Sequence, residues 1–489
     1  MREQGPVRRF TYRMRNILIV SLLLSASPVV AQTRSISASE RAQGAQANPE
    51  LVAEYGGAYR GPQATFVERV GKRVAVQSGL ANASSAFTVT TLNSPVENAF
   101  AIPGGYVYVT RQLLALMNSE DELGSVLGHE VGHVAARHSQ GRQRAAGIGS
   151  ILGALGQAAA GRFLGTGLAG QLGSRAAQTL PQLGVLKYGR DQEYEADTLG
   201  VRYITGAGYD PFAAASMLTQ LNAETTLDAR VQGRASQGSP SWMSSHPNGV
   251  DRIRRARQLA VATGRQPEAG QDTAFLRMLD GMRYDDDPAQ GVVDEQSFRH
   301  PGLRVRFTAP AGYRIANGTD AVTIAGQSGQ AQFRTAAATG DLAGFIQSRL
   351  RTFGATATGE VQTQRMNGVN VAYSTVRASA NGQQVDATVV AYGFPNATHH
   401  FTLITPGGSG IGPFASLIGS VAPLSASEAA AIRGKVVRVV TVGANDTVDS
   451  LSARMAYPDY RRERFLTLNG LEAGARLTSG RLVKLVVEG

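Results

Sequence analysis

The pentapeptide His129-Glu130-Val131-Gly132-His133 constrains this 489-residue chain more than any other feature. Upstream, Ser119-Glu120-Asp121-Glu122 has the form of a capping box, so a helix is predicted to start there, with the Glu122 carboxylate reaching back to the cap, and to run through the motif. Leu123, Val126, Leu127, Val131 and Val134 give that helix its buried side. At about 100° per residue the two histidines stand about 40° apart on one face, close enough for both imidazoles to hold one metal ion. Glu130 is turned about 100° from His129, beside such an ion without binding it, which is where a general base for an activated water must stand. With seven histidines in the chain, a chance match is expected on the order of 0.004 times.

Two imidazoles leave a zinc ion in need of a third protein ligand and an open position. The chain has no cysteine, so the third ligand must be His, Asp or Glu, and disulfides, thiolate catalysis and iron–sulfur clusters are excluded. The best source is a predicted helix over residues 190–204, where Glu193 and Asp197 lie four apart on one face. One of them can bind the metal while the other hydrogen-bonds a ligand imidazole from behind. His138 lies about 140° around the wheel from His133 and is expected at the helix C-terminus or in solvent. A third histidine six residues past His133 would fall at 139, which is Ser139.

The formal charge of +11 comes largely from one end of the chain. Arg2, Arg8, Arg9, Arg13 and Arg15 precede an apolar run at residues 17–24, then Ser27-Pro28 and the small-residue site Val29-Val30-Ala31, the pattern of a cleaved export signal at residues 1–31. Those residues hold five arginines and one glutamate, a net +4 of the total +11, which leaves +7. Nucleic acid is therefore not an expected partner, and a periplasmic location is, in association with the outer membrane or cell wall. The eight-residue apolar run is too short to span a bilayer core, which takes about 20 residues.

Patterning divides the rest into a domain at 32–265, a linker at 266–297, an α+β domain at 298–430 and a small strand–helix–strand piece at 434–489. Residues 145–186 are rich in Ala and Gly. They read first as a helical hairpin or loop over the core and second as a place of peripheral membrane contact.

Four blocks occur in order: Leu92-Asn93-Ser94-Pro95-Val96-Glu97-Asn98-Ala99-Phe100 running on to Thr110, the His-Glu-x-x-His helix, Glu193-x-x-x-Asp197, and Ser245-His246-Pro247 with Arg252-Ile253. Over residues 50–262 this resembles the zinc metalloendopeptidases typified by HtpX, BepA and the CAAX prenyl proteases, and an exported BepA-like member best of all. The resemblance implies an α+β multidomain chain led by a mainly helical, gluzincin-like peptidase domain with a small sheet, and one zinc ion per chain. It implies that the metal ligands are His129, His133 and Glu193, with Asp197 behind them and Glu130 as catalytic base. His246 and Arg252 are implied as catalytic residues, His246 either stabilising the oxyanion or swinging onto the zinc. The strand ending near Thr110 is implied as a cleft edge to which a peptide adds as a strand. Substrates are implied to be proteins or peptides, unfolded envelope proteins above all. The alternative is a self-inhibited or non-catalytic zinc-binding chaperone. The piece at 434–489 is similar to a LysM module of order β-α-α-β, which implies peptidoglycan as a further partner.

Overall fold

The computed structural model describes residues 1, 35–139, 188–231, 242, 246, 249–351, 359–380 and 383–489. The expected export signal and the Ala/Gly-rich stretch at 145–186 lie outside the described residues. No described helix is long and apolar enough to cross a membrane.

Helices α1 (Ala38–Glu54), α2 (Pro62–Ala75) and the short α3 (Ala83–Ala86) lead into strands β1 (Thr88–Leu92), β2 (Ala99–Ile102) and β3 (Tyr106–Thr110). The sheet order is β1-β3-β2, with β1 parallel and β2 antiparallel to β3. This overturns the expected cleft edge, because β3, which ends at Thr110, is the central strand and β2 lies at the edge. The reason is the turn at Pro103-Gly104-Gly105, where both glycines take positive φ and reverse the chain into a hairpin. A Cβ on Gly105 would also come within 2.3 Å of the Ala86 carbonyl oxygen. The run at residues 100–110 is thus two strands, and β1 takes the far side of the second.

After α4 (Arg111–Leu116) comes α5 (Glu120–Ala135), which carries the His-Glu-x-x-His motif. The Ser119 hydroxyl caps it by accepting from the Glu122 amide at 3.1 Å. The Glu122 carboxylate does not close the expected box. It accepts instead from the Asn118 amide at 2.7 Å and the Ser216 hydroxyl at 2.6 Å, since burial beside α7 (Ala213–Val231) offers it a second donor. Helix α6 (Arg190–Gly206) crosses α5 at Gly200, where a Cβ would stand 3.1 Å from the His129 amide nitrogen, so the two metal-face helices approach backbone to backbone. Helix α8 (Gly249–Ala262) packs on α6 and α7.

Residues 266–297, expected as a linker, carry α9 (Thr273–Leu279), capped by Asp272, and β4 (Arg283–Tyr284). Phe275 and Leu279 are fully buried in the apolar cluster around α5. Beyond them a seven-stranded antiparallel sheet and a four-stranded sheet enclose an aromatic core of Phe298, Phe307, Phe333, Phe401 and Phe414, with the helix Leu342–Arg351 packed on the larger sheet. The C-terminal piece has the order strand Lys435–Thr441, helix Val448–Ser452, helix Arg461–Leu468, strand Leu482–Glu488, its strands antiparallel. It does not stand apart. Lys435 and Val436 pair with β4, and Val437, Leu451, Phe465 and Leu485 share one apolar cluster with Leu113 and Leu116 of α4 and Leu123 of α5.

Candidate metal centre

Three elements converge on one buried point. Helix α5 supplies His129, Glu130 and His133, α6 supplies Glu193 and Asp197, and the segment before α8 supplies His246. The ligand atoms of His129, His133, Glu193 and His246 all lie within 4.8 Å of one another, and all four residues are buried. Glu195, on another side of α6, is not in this group.

The second nitrogen of each motif histidine has a partner. His129 Nδ1 stands 3.0 Å from Asp197 Oδ1. His133 Nδ1 stands 2.9 Å from His138 Nδ1, and His138 Nε2 stands 3.2 Å from Glu195 Oε2. An ionised carboxylate only accepts, so the tautomers follow: Asp197 takes the Nδ1 proton of His129, and Glu195 takes the Nε2 proton of His138, whose Nδ1 then accepts from His133. In their neutral forms both motif histidines keep an Nε2 lone pair, and these two nitrogens face each other at 3.0 Å. Glu193 Oε2 is 3.5 Å from the first and Glu193 Oε1 is 3.5 Å from the second. Three electron-rich groups converging in a buried place is the donor set a divalent cation fits.

Arg252 closes the back of the site and is fully buried. Its Nε and Nη2 donate to Asp197 at 2.8 and 2.7 Å, and its Nη1 donates to the His246 carbonyl at 3.0 Å and lies 2.8 Å from Glu193 Oε2. With its donors committed in this way, Arg252 orients the acidic residues rather than facing the cleft. Burial works to raise the Glu193 and Asp197 carboxyls, but the charge of His246 on the first and of Arg252 on the second, with the hydrogen bonds from His129, hold both well below the usual range. Burial alone would lower His129, yet the hydrogen bonds to Asp197 and Glu193 prevail and raise it to about 9 without a metal. For His133, burial prevails and holds the imidazole well below its ordinary value.

Sequence reasoning missed three groups. Trp242 donates from Nε1 to Glu130 Oε1 at 3.2 Å and stacks on His246 with ring centroids 4.4 Å apart. Tyr188 stacks on His133 at 3.7 Å. His138 is neither a cap nor solvated but buried behind His133. The one usable signal was that the chain's single tryptophan stands four residues before His246. Glu130 Oε2 is buried with no hydrogen-bond partner among the described residues. A groove bordered by Ala101 and Ile102 of β2, Pro103, His133, Arg137 and Tyr188 runs beside the centre.

Two histidines one helical turn apart, with a facing glutamate and a second carboxylate beside them, form a donor set that could hold a metal ion. Residues 62–260 match the model of Peptidase family M48. The chain is 30% identical over 221 residues to the mitochondrial metalloendopeptidase OMA1 of Schizosaccharomyces pombe, covering 44% of this chain and 59% of that protein. It is also 30% identical to the beta-barrel assembly-enhancing proteases of Yersinia pestis over 227 residues and of Escherichia coli over 206, covering 42% and 38% of those proteins. The chain thus spans between two fifths and three fifths of the length of these relatives.

Proposed function

We propose that this protein is a zinc-dependent endopeptidase of the periplasm that cleaves unfolded or misfolded envelope proteins. The observation that carries the reading is Glu130: one carboxylate oxygen is held by Trp242, and the other is buried beside the converging ligand set with no partner among the described residues. His129, His133 and Glu193 hold the ion, with Asp197 and Arg252 fixing their orientation. Zinc, when bound, supplies the Lewis acidity that makes a water nucleophilic near neutral pH. Glu130 takes the proton of the attacking water and, as the C–N bond breaks, returns it to the leaving amine. The free edge of β2 offers main-chain hydrogen bonds to an extended substrate. The Arg-rich start followed by an apolar run supports export, and the beta-barrel assembly-enhancing relatives support envelope proteins as substrates. The β-α-α-β order of the C-terminal unit supports contact with peptidoglycan.

Glu130→Gln keeps the metal, as read by metal analysis, and lowers casein hydrolysis at least ~10³-fold; proteolysis at the parent rate overturns the reading. His246 Nδ1, 3.0 Å from Glu193 Oε1 and 3.2 Å from His129 Nε2, stands among the ligands, which favours a latent enzyme held by its own histidine. His246→Ala then raises proteolysis, whereas a fall assigns His246 to the oxyanion.

A further inference from the structure

Lys484, in the last strand of the chain, is fully buried against the entry to the active-site helix. Its Nζ donates to the carbonyls of Ala115 at 2.7 Å, Leu116 at 3.0 Å and Met117 at 2.6 Å. An ammonium has three donors, and all three are used here on the end of α4, where a helix exposes unpaired carbonyls. The residues that follow, Asn118 and Ser119, are the entry and cap of α5. Glu122, in the first turn of α5, is the carboxylate whose charge opposes the effect of burial on Lys484. Burial pulls the Lys484 ammonium down to about 7, so the pair is costly unless both members are present.

The surrounding polar groups extend the same junction. Asn469 brackets the Lys484 backbone, accepting from its amide at 2.7 Å and donating to its carbonyl at 2.9 Å. Gln220 of α7 donates to the Leu116 carbonyl at 2.6 Å and the Thr467 carbonyl at 3.0 Å, and accepts from Asn118 at 3.0 Å. The C-terminal unit, α4, α7 and the start of α5 therefore meet in one buried hydrogen-bonded knot. His129 lies seven residues beyond Glu122, about 10 Å along a rigid helix, so a shift at the knot is carried to the ligand face.

We infer that Lys484 is a positioning residue of the peptidase, and that the C-terminal unit is an integral part of the catalytic domain which sets the placement of the active-site helix. This rests on the peptidase reading. A unit that served only as a tethered glycan-binding module would have no need of a cation buried in another domain.

The test uses the full chain with Lys484→Met and with Lys484→Met combined with Glu122→Gln, which removes the unpaired charge. Activity is measured well below the melting temperature of every variant. The expected result is a lowered melting temperature for the single variant and partial recovery for the double one. In both, kcat is down about tenfold with KM unchanged, and the visible spectrum of the cobalt-substituted protein is altered. Parent kcat and an unaltered cobalt spectrum in the folded double variant overturn the proposal and leave Lys484 a structural residue. If Lys484→Met does not fold, the double variant and Asn469→Ser supply the same readouts. Failure of the parent protein to cleave any peptide sinks the peptidase reading alone, because the cobalt spectrum still reports the helix.

Discussion

Two groups of buried histidines in this molecule have opposite fates. His129 and His133 stand among Glu193, Asp197 and His246. His399 and His400, on a central strand of the middle domain, stand among Phe333, Phe394 and Phe345. Hydrogen bonds donated to acidic residues overcome burial at His129 and raise it to about 9, whereas burial prevails at His399 and His400 and lowers both to about 4. His399 Nδ1 meets the Thr335 hydroxyl at 3.0 Å, and among the described residues neither histidine has a carboxylate as a hydrogen-bond partner. The lesson is that a buried histidine marks a site only where carboxylates have been buried with it, because they fix its tautomer and balance the charge it helps to hold.

This contrast can be broken most severely at its charged end. His129→Ala removes a ligand and is expected to abolish proteolysis and metal retention in dialysed protein, while His399→Leu leaves both at parent values; equal loss in the two would erase the distinction. Next in size is Asp197→Asn, which leaves Arg252 short of a charge partner and His129 with a weaker acceptor. A 10- to 100-fold loss of metal affinity is expected from competition with a chelator, and unchanged affinity would show that Asp197 does not orient His129.

The smallest effect sharpens the other end. His399 and His400 have folded pKa values below the ordinary 6.5, so the stability they allow is full above pH 6.5 and is lost as pH falls toward 4. Replacing both with His399→Leu and His400→Phe is expected to flatten the acid limb of the denaturation profile, with about 2 kcal/mol per histidine recovered at pH 5 and no change in activity at pH 7. Urea titrations at pH 7 and pH 5 measure the difference. An acid limb as steep as the parent's would mean that other groups carry it.

The site was largely legible because its chemistry is written at helical spacing. The four-residue interval of His129 and His133, the four-residue interval of Glu193 and Asp197, and the Ser119 cap are local, and local geometry follows from a helix alone. What escaped depends on contacts between elements distant in sequence. Trp242 meets Glu130 across 112 residues and Lys484 meets Ala115 across 369, and no pattern in either segment announces its partner. The edge of the small sheet was misplaced for a similar reason: alternation shows that residues form strands, while pairing order depends on which strand returns alongside.

By itself, then, the sequence determined the metal-binding helix, its acidic partner helix and the residue types the chemistry can use, since side chains at fixed steps along a helix can face only one way. The tertiary structure alone decided which carboxylate stands in front of the histidines and which behind, and placed Arg252 out of the cleft. It also folded the last 55 residues into the peptidase core. Those outcomes turn on packing among helices and strands brought together from the whole chain, where burial, not spacing, decides which charges must meet.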